Sequence, residues 1–127
     1  MEYVVFDLEW NQPENKKRTI KYPIRLSGEI IQIGAVKLNE NLEIIDTFDT
    51  YVKPVFYTKM NKKVSELTGI TEKDLAKGLS FEKSATEFKA WCDDATLISW
   101  GPDEEQDVFM LIENNKNFYY DIIINLD

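Results

Sequence analysis

Residues 3 to 9, Tyr-Val-Val-Phe-Asp-Leu-Glu, are an apolar run that closes on two acids two positions apart. Tyr3-Val4-Val5-Phe6 has the composition of a buried β-strand. Along a strand, residues i and i+2 project from the same face. Asp7 and Glu9 are therefore delivered side by side at the C-terminal end of that strand. Like charges that close repel, and they destabilise the fold unless a cation lies between them. A hard divalent ion such as Mg²⁺ or Mn²⁺, bound through oxygen, matches two carboxylates. Such a pair suits metal-dependent phosphoryl transfer. The competing structural reading is a solvated strand end that carries two acids.

The rest of the chain alternates strand and helix signals. Residues 11–28 carry Pro13, Asn15, Pro23, Gly28 and several basic residues, which predicts an exposed loop. Glu29 to Leu38, rich in isoleucine and valine, predicts a long second strand. Asn39-Glu40-Asn41 is a polar turn, and Leu42 to Val52 predicts a third strand ended by Pro54. The three form an antiparallel meander. Thr58 to Thr68 predicts a short helix stopped by Gly69. Thr71 caps a helical turn that ends near Gly78. Ser80 caps a longer helix, with Phe81, Ala85, Phe88, Trp91 and Cys92 at helical spacing. Ala95 to Trp100 predicts a strand parallel to the first, joined to it through that helical crossover. Pro102 opens a further helix with Val108, Leu111 and Ile112 on its buried face. Phe118 to Leu126 is apolar and β-rich, and fits a strand, an arm or the start of a helix. The class that follows is α/β, in one domain spanning residues 1–127.

Read in order, several segments together carry a family signature. They are Phe6-Asp7-Leu8-Glu9-Trp10, Glu29 to Leu38, Tyr51-Val52-Lys53-Pro54, Glu66-Leu67-Thr68-Gly69-Ile70-Thr71 and Ile98-Ser99-Trp100-Gly101. This set resembles the DEDD, or DnaQ-like, superfamily of 3′–5′ exonucleases. It is most similar to the histidine-type branch, which includes bacterial proofreading subunits and the histone-mRNA and interference-RNA 3′ exonucleases. The resemblance runs from about residue 3 to the end of the chain. It implies a ribonuclease H-like fold, a mixed sheet flanked by helices. It also implies hydrolysis of terminal phosphodiesters of RNA or DNA with two divalent ions, Mg or Mn. The expected partner is the 3′ end of a single-stranded nucleic acid.

By the same resemblance, Asp7 bridges both ions and Glu9 binds the one beside the attacking water. A third acid follows the strand that ends in Trp100-Gly101. Asp107 fits the apolar pattern at Val108, Leu111 and Ile112. Glu104 lies at the commonest spacing from the tryptophan, and Asp103 lies where a helix cap would. The two acids not used would be helix N-terminal charges favoured by the macrodipole. Leu8 and Trp10 would approach the terminal sugar, and Leu67, Thr68 and Ile70 the terminal base. Core packing is the alternative for the apolar ones. Glu29 resembles a recurrent structural acid.

The branch ends its signature with a histidine, followed five residues later by an aspartate. This chain has no histidine. The sequence reading is therefore a domain truncated at its C-terminus, weak or inactive as it stands. The alternative is a non-catalytic adaptor with a degenerate site, binding nucleic acid or protein. Either way, the apolar Ile122-Ile123-Ile124 segment is expected to support self-association.

The net charge of −8 argues against broad adhesion to nucleic acid. Positive charge is nonetheless clustered, in Lys16, Lys17, Arg18, Lys21 and Arg25 and again in Lys59, Lys62 and Lys63. These are either solvated loops or contacts to a substrate backbone. No apolar stretch is long enough to span a membrane. A single cysteine, Cys92, excludes an internal disulfide, and no secretory signal is visible. Both point to a cytoplasmic location.

Overall fold

The computed structural model describes residues 1–22 and 25–99. Among these residues, four strands form one mixed sheet in the order β3-β2-β1-β4. β1 (Tyr3–Asn11) and β2 (Glu29–Leu38) are antiparallel, as are β2 and β3 (Ile44–Tyr51). β4 (Thr96–Ser99) runs parallel to β1, pairing Tyr3 with Thr96 and Val5 with Ile98. The meander and the parallel return are as the sequence predicts. β3 starts two residues later than expected, because Leu42 sits in the turn at φ +63°, a left-handed conformation no strand residue adopts.

Among the described residues, three helices accompany the sheet. α1 (Lys62–Thr68) is capped by Asn61, whose side chain accepts from Lys63 and Val64, and it ends at Gly69 with φ +76°. α2 (Glu72–Ala76) opens on a reciprocal cap between Thr71 and Asp74. α3 (Phe81–Cys92) is capped by Ser80. Residues 58–61 are not helical, a correction to the predicted start of α1. Their backbone groups are committed elsewhere: Asn11 Nδ2 donates to Tyr57 O at 2.8 Å and to Lys59 O at 3.0 Å, and Asn61 N donates to Asn11 Oδ1 at 2.9 Å.

The main core lies between α3 and one face of the sheet. Val4, Phe6 and Leu8 from β1 meet Ile33 and Ala35 from β2, with Ala85, Phe88 and Cys92 above them. Phe88 is edge-on to Phe6 at 6.0 Å between centroids, tilted against Phe48 at 5.3 Å and stacked near Trp91 at 6.1 Å. Cys92 is buried packing, as its helical spacing predicts.

A second cluster joins Ile31 to Met60, Ile70 and Leu75. It exists because of a β-bulge. Glu9 pairs with Gln32 but Trp10 pairs with Ile30, so Ile31 is left out of the register. Its neighbours Ile30 and Ile33 point into the main core. Ile31 is turned away from them, toward the α1–α2 segment, and brings that segment to the sheet.

The predicted loop at 11–28 is not wholly exposed. It holds a 3-10 turn at Lys16–Arg18 and an isolated bridge between Ile20 and Leu26, and Leu26 is buried. Tyr57 holds it, accepting from Ile20 N and donating its hydroxyl to Leu26 O. Among the described residues, no helix is long and apolar enough to cross a membrane. The helix expected after Pro102 and the segment at 118–126, including Ile122-Ile123-Ile124, lie outside the described residues.

Candidate active site

Alternation along β1 decides which side chains can meet. Val4, Phe6 and Leu8 are buried, while Val5, Asp7 and Glu9 face the other way. The register extends this face across the sheet. Asp7 lies opposite Gly34, which lies opposite Asp49, and Glu9 lies opposite Gln32. These residues line one open depression of about 580 Å³, floored by Val5, Gly34 and Val36 and edged by Thr47 and Asp49.

Asp7 and Glu9 therefore share a face and a cleft. Burial pushes the Glu9 carboxyl above its ordinary value, and the charge of Asp7 pushes it further. Two carboxylates on one face of a strand end are the oxygen donor set that a hard divalent ion takes. Such an ion beside Glu9 would counter both effects. The pair thus fits a divalent cation. Among the described residues no third ligand joins them. Asp103, Glu104 and Asp107, with Trp100-Gly101, lie outside the described residues.

Other expected site residues fall in different places. Leu8 is 3% exposed and packs in the main core, since it occupies the alternate face from the two acids. Trp10 is half-buried against the same core. Leu67, at 87% exposure, stands out from the last turn of α1. Thr68 is half-buried, its hydroxyl donating to Val64 O at 2.8 Å and accepting from Ile70 N at 3.1 Å. Ile70 is buried in the second cluster.

Two residues of the cleft escape the sequence reading. Asp49 and Gln32 face it together, with Gln32 Nε2 donating to Asp49 Oδ1 at 2.9 Å. The signal was present in principle: period-two alternation puts Asp49 opposite in sense to Phe48, and hence on the acid face. It needed the register of two strand pairs to be read.

Glu29 is the structural acid the sequence suggests. It is buried at the start of β2, where it accepts from Val55 N at 2.7 Å, Tyr57 N at 2.8 Å and Phe56 N at 3.1 and 3.2 Å. Tyr57 in turn donates its hydroxyl to Leu26 O and accepts from Ile20 N at 3.0 Å. One carboxylate therefore fixes the segment that anchors the 11–28 loop beside the cleft.

Known proteins resemble this chain in sequence and fold. The RNase_T family, described as exonuclease, matches residues 4–123. KapD of Bacillus subtilis, a probable 3′–5′ exonuclease, is 29% identical over 100 residues, which cover 77% of this chain and 46% of that protein. The PolC-type DNA polymerase III of Staphylococcus haemolyticus is 33% identical over 97 residues, covering 76% of this chain and 6% of the polymerase. The nuclease domain of 3′hExo, a DEDDh family member solved with bound rAMP, aligns with a TM-score of 0.69 at 25% identity. That alignment covers 88% of this chain and 57% of the other, and it makes the fold ribonuclease H-like. The chain spans less than half the length of the curated relatives named.

Proposed function

This chain belongs to the RNase_T exonuclease family, and from that premise we propose that it is a metal-dependent 3′–5′ exonuclease domain acting on the ends of RNA or DNA. One observation carries the reading: Asp7 and Glu9 project from one face of β1 into the same open cleft. The family generally uses divalent metal ions, and Mg²⁺ or Mn²⁺ is the ion proposed here. Asp7 and Glu9 would hold it, with Asp107, Glu104 or Asp103 as third ligand. When bound, such an ion supplies charge stabilisation at the scissile phosphate and acidifies a water molecule.

The chain's own residues set the rest. β1 keeps its alternation past Glu9, with Trp10 returning to the main core, and the bulge at Ile31 lies on β2. Gly34 leaves the floor between Asp7 and Asp49 without a side chain. The binding of rAMP by 3′hExo supports a cleft that takes a terminal nucleotide. Leu67 and Thr68 are the proposed contacts to its base.

These 127 residues include no histidine to act as general base; a module that binds 3′ ends without cleaving them is the second reading. General-base catalysis contributes about 10²–10⁴-fold, so turnover by this chain is expected to be lower by that order or absent. The test is Mn²⁺ binding by calorimetry, followed by digestion of a 5′-labelled oligonucleotide. Mn²⁺ bound by the wild type and lost in Asp7→Ala, with slow or absent 3′ trimming, is the expected result. No metal binding, with undiminished affinity for free 3′ ends, would favour the module. Neither metal nor 3′-end binding would overturn both readings.

A further inference from the structure

Eight of the fifteen lysines and arginines fall in two short stretches, residues 11–28 and 57–63, accompanied there by one acid, Glu14. The remaining residues carry twenty-two acids against seven basic side chains. Every one of the eight is exposed.

Far apart in sequence, the two stretches are held together in space. Asn61 Nδ2 donates to Pro13 O at 3.1 Å, and Lys62 N to Glu14 Oε1 at 2.9 Å. The Tyr57 hydroxyl bonds both Ile20 and Leu26. Lys16, Lys17, Arg18, Lys21 and Arg25 are thereby fixed beside Lys59, Lys62 and Lys63. A merely solubilising loop needs no such anchoring, because its charges are hydrated wherever they stand. One anchor of this surface is close to the acids. Asn11, which binds the 57–61 segment, is two residues beyond Glu9 on the same strand, about 7 Å along it. Within the basic stretch, Tyr22 is 89% exposed, an aromatic face with no core to fill.

We propose that this basic surface is a track for the phosphodiester backbone of a single-stranded nucleic acid whose 3′ end lies at Asp7 and Glu9. Only the placement of the 3′ end rests on the exonuclease reading; the backbone contact stands without it. A narrow strand fits the charge pattern best. It can follow a basic strip while staying clear of the acidic remainder. A flat anionic membrane would meet both and be repelled. Tyr22 adds a stacking platform, which tolerates any base.

The experiment measures fluorescence anisotropy of a short 5′-labelled oligothymidylate in EDTA, across a tenfold range of KCl. Each phosphate neutralised on a single strand contributes about −0.7 to the slope of log K against log salt. Combined Lys16→Ala, Lys17→Ala and Arg18→Ala should flatten that slope by about 2, and so should combined Lys59→Ala, Lys62→Ala and Lys63→Ala. Tyr22→Ala should weaken binding about tenfold at an unchanged slope. Unaltered urea midpoints establish that the variants fold. Wild-type slopes in both triple variants, no binding by the wild type, or preferential binding to phosphatidylserine vesicles would each overturn the track. Oligonucleotide bound along the track without metal binding or trimming would overturn the exonuclease reading alone. Trimming with unchanged slopes would overturn the track alone.

Discussion

Replacing Glu29 by glutamine keeps the shape of the side chain and reverses part of its chemistry. The carboxylate accepts from three consecutive backbone N–H groups, Val55, Phe56 and Tyr57, in a site 8% exposed. In Glu29→Gln one oxygen becomes an NH₂ group, a donor facing a donor. Whichever way the amide turns, it loses either the 2.7 Å bond from Val55 or the 2.8 Å bond from Tyr57. A hydrogen bond to a charged group contributes about 1.5–3 kcal/mol, and the bonds that survive drop to the neutral value of about 1 kcal/mol. The orphaned N–H and the weakened survivors together predict a loss of about 3 kcal/mol. At a urea m-value of about 1.5 kcal/mol/M, the midpoint followed by tryptophan fluorescence should fall by about 2 M. Glu29→Ala should cost no more than the glutamine variant, since water can enter the vacated space and satisfy the N–H groups. Amide exchange at residues 55–57 should accelerate in parallel. A glutamine midpoint within about 0.3 M of wild type, well inside the expected shift, would refute the claim that this carboxylate organises the loop.

Four further outcomes follow from the same structure. The Ser84 hydroxyl is fully buried in α3 and has no hydrogen-bond partner among the described residues, so Ser84→Ala should raise the urea midpoint, by about 1 kcal/mol of stability. A side chain at Gly78 would meet the Tyr51 carbonyl oxygen at 2.8 Å, so Gly78→Ala should destabilise by about 1–3 kcal/mol, whereas Gly34→Ala, with nothing within 4 Å, should be neutral or stabilising in the same titration. The Asp46 carboxyl is held below its ordinary value by the hydrogen bond from Trp91 Nε1, at 2.9 Å, and then by the Thr47 N–H. Its native form therefore gains stability above the unfolded pKa and loses it as pH falls through the lower folded value, so the Trp91 indole proton resonance should titrate below pH 3.8 and stop doing so in Asp46→Asn. Saturating Mn²⁺ should raise the melting temperature of the wild type, and a rise of equal size in Asp7→Ala would show that the ion binds elsewhere.

Much of the site was legible because its determinants are local. The i, i+2 spacing puts Asp7 and Glu9 on one face, and apolar alternation on β1 and β2 says which face is buried. Caps at Thr71 and Ser80, and the stop at Gly69, are likewise written within a few residues of where they act. What was hidden depends on partners distant in the chain. The 57–61 segment has acceptable helical composition, yet Asn11 and Glu29 draw its backbone groups out of any helix. The bulge at Ile31 is invisible to periodicity, because Ile30 and Ile31 are adjacent apolar residues and either can be assigned to the buried face. Asp49 and Gln32 were missed for the same reason: their place at the cleft is a property of two pairings, not of one strand.

The strand order also has a kinetic consequence. β1 meets β2 across separations of 18 to 35 residues, but it meets β4 across 93. Closing the longer loop costs roughly 1 kcal/mol more in chain entropy. The meander should therefore be structured in the folding transition state, with φ-values well above those of β4. Since all of β1 and β2 leaves the ribosome before Thr96 is synthesised, Asp7 and Glu9 are brought together on a nascent chain whose parallel edge does not yet exist. Pulse-labelled hydrogen exchange should show residues 5–9 and 32–36 protected ahead of 96–99. Simultaneous protection would rule this order out. On this order the acidic face is assembled with the meander and ahead of the parallel edge, and dissolved divalent ions should accelerate that early step by quenching the repulsion between its carboxylates.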